Sequence, residues 1–280
     1  MSLSPSTRLG PVHLVVTDTE RSAAFYAEAV GLRTHRRDDG VAALGAGAED
    51  LLVLHEVPGA GPPAGHAGLY HFALLHPSRG ELARAARRLA ATGTAIQGAS
   101  DHGFSEAIYL ADPDGNGIEL YADRPREVWP DPQDAIPPGG PLPLDLRGLL
   151  ELSDGDGPAD PGLVVGHIHL HVGDLDRALA FYRDVIGFEP TMVIPSAAFV
   201  SAGGYHHHLG LNIWRGRGAG TVASGTVGLS RWTIVLPDRG EVERVAARVA
   251  AAGLESEEVA DGFVVSDPWG IPLHVAAEAG

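Results

Sequence analysis

Three residues carry the chemistry this chain could do. His13 sits in Gly10-Pro-Val-His13-Leu, His71 in Tyr70-His71-Phe-Ala, and Glu119 in Gly117-Ile-Glu119-Leu-Tyr121. Each lies in a short apolar, strand-like run. Two neutral imidazoles and one carboxylate on one face of a metal leave several coordination positions open. That donor set suits non-haem Fe(II) and the activation of dioxygen. Burying these groups among apolar neighbours without a cation would be costly, so core filling explains the trio poorly.

The elements that must position them are repeated. Gly10-Pro-Val-His-Leu-Val-Val-Thr-Asp-Thr-Glu-Arg-Ser-Ala-Ala-Phe-Tyr26 matches Gly166-His-Ile-His-Leu-His-Val-Gly-Asp-Leu-Asp-Arg-Ala-Leu-Ala-Phe-Tyr182. The Pro77 to Gly93 segment matches Pro237 to Gly253, and Asp112-Pro-Asp-Gly115 matches Asp267-Pro-Trp-Gly270. The pairs recur in order, so the chain holds two homologous halves. Each half divides again. Residues 12–16 read as a strand and 19–30 as an amphipathic helix, with Asp18 as N-cap and Gly31 as the stop. Three strand-like runs follow, ending at His55. The pattern restarts at 70–75, with a helix over 80–91 and strands near 95–96, 107–111 and 117–121. The expected fold is α+β: four βαβββ modules paired into two open β-barrel-like domains, 8–123 and 164–280. Between them 124–163 is rich in Pro, Gly and Asp, a linker composition with a short helix expected near 145–152.

Inward-facing side chains alternate along strands that curl into an open barrel. His13 and His71 are on the first strands of modules one and two, and Glu119 is on the last strand of module two. The repeat therefore lets all three converge in the 8–123 half. In the other half His169 aligns with His13, but Arg231 aligns with His71 and His274 with Glu119. A guanidinium is no metal ligand and repels a cation, so that site reads as altered. His206-His207-His208 is internal, and strand alternation sends His206 and His208 to one face. A second, histidine-rich pocket of His169, His208 and His274 is the expectation held against a plain polar strand end. Asp112-Pro-Asp-Gly115 is a turn signal, and the arginine-rich 79–88 helix reads as a solvated face.

These motifs, together with Asp101-His-Gly-Phe-Ser-Glu-Ala-Ile-Tyr109 and Tyr205-His-His-His-Leu-Gly-Leu-Asn-Ile-Trp214, resemble the vicinal-oxygen-chelate superfamily of glyoxalases, bleomycin-resistance proteins and extradiol dioxygenases. The likeness is greatest to its two-domain catechol 2,3-dioxygenase-like group, though those enzymes carry iron in the C-terminal half. The resemblance implies that His13, His71 and Glu119 are ligands of Fe(II), with Mn(II), Ni(II) or Zn(II) as alternatives. It also implies that Tyr109, ten residues before Glu119, contacts a substrate hydroxyl. His102 is a candidate acid/base, its ordinary pKa being near neutrality. The implied activity is extradiol cleavage of a catechol or hydroquinone-like ring. A glyoxalase-type lyase or isomerase remains the alternative, with a fourth ligand from His55 or Glu56, as does a non-enzymatic protein that sequesters an aromatic ligand.

Composition narrows the field. The chain has 280 residues, 44% apolar content, a formal net charge of −16 and no cysteine. Such acidity disfavours nucleic acid as a partner, and the lack of thiols removes disulfides, thiolate metal sites and thiol catalysis. No signal-like or spanning apolar run is present, so a cytoplasmic protein is expected, with a small aromatic substrate and dioxygen as partners. A homo-oligomer is left open.

Overall fold

The computed structural model describes residues 2–63, 65–131, 140–221 and 223–278; the Pro137-Pro138-Gly139 part of the expected linker lies outside them. Four βαβββ modules follow one another. The first has β1 (Val12–Val16), α1 (Thr19–Phe25), β2 (Arg33–Asp38), β3 (Val41–Gly45) and β4 (Leu52–Glu56). The second has β5 (Gly68–Leu75), α2 (Arg79–Thr92), β6 (Ile96–Asp101), β7 (Ser105–Ala111) and β8 (Gly117–Asp123). The third has β9 (Val164–His171), α3 (Leu175–Leu179), β10 (Glu189–Ile194), β11 (Ala197–Ser201) and β12 (Leu209–Asn212). The fourth has β13 (Gly228–Leu236), α4 (Arg239–Ala251), β14 (Ser256–Val259), β15 (Gly262–Ser266) and β16 (Pro272–Ala277). These sixteen strands, with the short strands Arg8–Leu9 and Leu142–Pro143, form two open, mixed sheets of nine strands each. This is the expected α+β class.

The chain divides into two compact units. One comprises Met1–Leu14, Gly61–Tyr70 and Gly166–Gly280, the other Val15–Ala60 and His71–Val165. Within the second, β6, β7 and β8 are antiparallel and β5 joins β8 in parallel. Within the first, β14, β15 and β16 are antiparallel and β13 joins β16 in parallel. The parallel step is what a βαβββ module requires, because its helix crosses over between the first strand and the rest.

Local chemistry sets the helices. Asp18, Ser78, Asp174 and Asp238 cap them, each side chain accepting a backbone N–H three residues on. This satisfies donors that the first turn leaves without partners. The first-module helix continues as a π-helical turn, Tyr26–Val30, and stops at Gly31 with φ +84°. A Cβ there would lie 2.6 Å from the Arg88 guanidinium carbon and 2.8 Å from the Ala159 nitrogen, so only glycine fits.

Arg88 corrects the reading of α2 as a solvated face. Its side chain is buried and donates to the Ala29, Val30 and Gly157 carbonyls. The helix end needed donors, and a long guanidinium supplies them. Arg248 in α4 does the same for Val185 and Ile186. Part of the expected linker also packs on this unit. The short helix Leu146–Leu150 is capped by Asp145, and Arg87 donates to Leu150 O.

The Asp112 turn is held from within. Its carboxylate accepts from Asp114 N–H, Asn116 N–H and the buried Tyr26 hydroxyl at 2.9 Å. Asp267 repeats the arrangement with Trp269, Ile271 and Tyr182. Each turn thereby ties the last strand of one module to the helix of the module before it. Among the described residues no helix is long and apolar enough to cross a membrane.

Candidate metal centre

β5 and β8 carry two of the candidate ligands. They pair in parallel with Ala73 opposite Glu119, which places His71 two residues back on β5 and on the same face. His71 Nε2 lies 3.0 Å from Glu119 Oε2, and their side chains are 7% and 4% exposed. Across the other edge of β8, Tyr109 on β7 is the register partner of Glu119. Its ring centroid is 5.7 Å from that of His71.

His102 joins this group from the β6–β7 loop. Asp101 accepts the Gly103 N–H, and His102 N–H donates to Ser105 O, fixing a tight turn. The turn presents His102 Nε2 at 2.7 Å from Tyr109 Oη. Phe104 stacks on the His102 ring at 5.9 Å and 14°, with Trp129 beyond it. Arg124 braces the turn by pairing with Asp101 at 2.7 Å. His102 is thus both a turn residue and a neighbour of the site.

His71 and Glu119 are both buried. An imidazole and a carboxylate with this little exposure fit a hard-to-intermediate divalent metal that keeps open positions. Glu56, weighed as a fourth ligand, is engaged elsewhere. Its carboxylate accepts the Thr19 N–H and hydroxyl, both at 2.8 Å, and these bonds hold its pKa below the ordinary value.

His13 Nε2 faces the Arg231 guanidinium at 3.2 Å. Alternation puts His167, His169 and His171 on one face of β9.

The histidine-rich pocket expected from His169, His208 and His274 does not assemble among the described residues. His169 packs against Tyr70, Phe199 and Trp214, with Gly210 beneath its ring. His208 Nδ1 accepts the Ala202 N–H at 3.1 Å, while burial, then the neighbouring His206 and His167, holds its pKa down to about 4. His274 Nε2 pairs with Asp261 at 3.0 Å. The strand alternation assumed for His206 and His207 also fails. The run precedes β12 and is irregular, so the two Nδ1 atoms meet at 2.8 Å, with the His207 ring 4.1 Å from that of His167.

With this geometry in view, the comparisons decide the family. The model of the Glyoxalase/Bleomycin resistance protein/Dioxygenase superfamily matches residues 8–120 and 164–275. The chain belongs to this superfamily. It is 45% identical over 276 residues to a catechol-2,3-dioxygenase of Bacillus subtilis (strain 168), spanning 95% of this chain and 96% of that one. Homology of that depth supports an enzyme of the dioxygenase kind. Two solved structures share the fold. A putative dioxygenase from Bacillus subtilis has a TM-score of 0.71 at 15% identity, covering 100% of this chain and 87% of that one. Glyoxalase I from Zea mays has a TM-score of 0.61 at 20% identity, covering 97% and 92%.

Proposed function

We propose that this superfamily member is an Fe(II)-dependent extradiol dioxygenase that opens a catechol or hydroquinone-like ring, with His71 and Glu119 among the metal ligands. The observation that carries the reading is the buried His71–Glu119 pair, 3.0 Å apart, beside a Tyr109–His102 pair hydrogen-bonded at 2.7 Å. Extradiol activity in general also fits the 45% identity to a catechol-2,3-dioxygenase. Iron held by these ligands supplies the redox partner through which a catecholate passes electron density to dioxygen.

The chain's own residues do the rest. Glu119 would offset part of a dication's charge, and His71 would bind it as the neutral imidazole. Tyr109 Oη, directly across from Glu119, is placed to hold a substrate hydroxyl and to take or return its proton. His102 is the acceptor for that proton, one hydrogen bond further out. Overall, one ring C–C bond beside the two hydroxyls breaks and both atoms of dioxygen enter the product, so no outside reductant is needed. The engagement of Glu56 with Thr19 favours three protein ligands over the four of a glyoxalase-type site.

We read 8–123 and 164–280 as the homologous halves, joined by 124–163. A cytoplasmic setting is proposed from the cysteine-free composition. The deciding experiment is metal analysis of anaerobically purified protein, paired with oxygen uptake on added catechol. Iron near one per chain with oxygen consumption and a ring-opened product sustains the reading. Iron-loaded protein that consumes no oxygen with any dihydroxy-aromatic overturns it.

A further inference from the structure

Module four repeats the geometry of the metal centre with its charge inverted. On β5 and β8 the histidine is at position 71, and the carboxylate is opposite the residue two further on, Ala73. On β13 and β16 the same step places Arg231 at the histidine position and His274, opposite Thr233, at the carboxylate position. Across the antiparallel edge Val264 faces His274 as Tyr109 faces Glu119. The register is conserved between the modules; the donor set is not. A carboxylate and an imidazole have become an imidazole and a guanidinium.

The side chains around Arg231 do not use up its donors. Its Nη2 lies 3.2 Å from His13 Nε2, which must then accept and so be the neutral imidazole edge. Its Nε is buried and makes no hydrogen bond. A buried guanidinium N–H without an acceptor is costly, and the natural remedy is an oxyanion that takes Nε and one Nη together. His274 is 12% exposed and pairs with Asp261, itself 56% exposed at the rim. Arg231, His13 and His274 are all partly open to solvent, so a small ligand can reach them.

We propose that Arg231, with His274 and His13, forms an anion-binding site for a small carboxylate in the place that a metal would take in module four. One fixed positive charge beside neutral imidazoles, with Asp261 nearby, matches a monoanion better than a dianion such as phosphate. A carboxylate also meets the guanidinium edge in the planar, two-point fashion its geometry favours. The site is separate from the proposed dioxygenase centre, and its existence does not depend on that activity.

The test uses the metal-loaded full chain with sodium acetate and, separately, inorganic phosphate as probes. In the wild-type protein the Arg231 Nε–H resonance shifts with added acetate. Arg231→Met weakens acetate binding by calorimetry roughly tenfold or more, the scale of one lost charge-assisted pair, whereas Arg231→Lys loses less. His274→Gln, which keeps the cation, weakens it by a smaller factor and serves if Arg231→Met does not fold. An unshifted Arg231 resonance, or acetate binding unchanged in folded Arg231→Met, overturns the proposal. Phosphate bound more tightly than acetate overturns the carboxylate assignment. Oxygen uptake enters neither measurement, so failure here is distinct from failure of the dioxygenase reading.

Discussion

Tyr109 and Glu119 face each other directly across the β7–β8 ladder, and His102 Nε2 is 2.7 Å from the Tyr109 hydroxyl. The carboxylate proposed as a metal ligand and the pair proposed for proton transfer are therefore fixed by one backbone register. Tyr109→Phe keeps the ring and removes only the hydroxyl. The expected loss in kcat is about 10²-fold or more, the ordinary range for one proton-transfer group, with metal content unchanged. His102→Gln is expected to lower kcat as well and to alter its pH profile, because the titrating partner of Tyr109 is gone. Full activity in Tyr109→Phe would remove the tyrosine from the mechanism.

The ligand set gives a sharper contrast. Glu119→Ala and His71→Ala are each expected to weaken metal binding by more than the roughly 10–100-fold seen when only an outer partner is lost. His13→Ala is expected to retain the metal, because His13 faces Arg231 instead. Metal content by elemental analysis after dialysis separates the cases. Metal lost from His13→Ala would restore the expectation drawn from the repeat.

That contrast marks how far the sequence could be read. The order of elements, the four modules and the pairing of His71 with Glu119 follow from periodicity and repeats, because strand alternation and helix caps are local properties. The surroundings of His13 do not. Nothing local in the sequence shows that its Nε2 meets the Arg231 guanidinium, far along the chain. Arg88 was misread for a related reason. Its neighbours in sequence are arginines and alanines, and nothing local reveals that a helix end elsewhere needs its donors. The His206-His207-His208 run failed because alternation was applied to a segment that is not a strand.

His76 makes stability depend on pH. It is buried, and neither ring nitrogen has a hydrogen-bond partner. Burial, reinforced by the Arg88 charge, pushes its pKa down to about 3. In the unfolded chain it returns to the ordinary value near 6.5. The unfolded state then binds the proton first, so stability is full above pH ~6.5 and is lost as pH falls toward ~3. Between pH 7 and pH 5 this group accounts for a loss of about 2 kcal/mol, an order-of-magnitude figure. Urea denaturation at both pH values measures it. In His76→Phe that difference should shrink by a similar amount; an unchanged difference would assign the acid sensitivity to other groups.

Arg88 and Arg84 lie one turn apart on α2 and should behave quite differently. Arg84 pairs with Glu81 on the outer face, a contact between partly exposed groups worth a few tenths of a kcal/mol. Arg88 closes the first-module helix through Ala29 and Val30 and holds Gly157 of the segment that follows the short helix. Removing it leaves buried carbonyls without donors, at about 1–3 kcal/mol for each group that water cannot reach. Arg88→Met is expected to destabilise by about 2–4 kcal/mol, at the upper end for single substitutions. Arg84→Met should stay within about 0.5 kcal/mol. Arg248→Met, which frees two carbonyls rather than three, should fall between them. Limited proteolysis adds a local readout, since loss of the Gly157 bond should speed cleavage near 157 in Arg88→Met but not in Arg248→Met. Equal stability of Arg88→Met and Arg84→Met would show that the buried guanidinium is a passenger, not the clasp at the helix end.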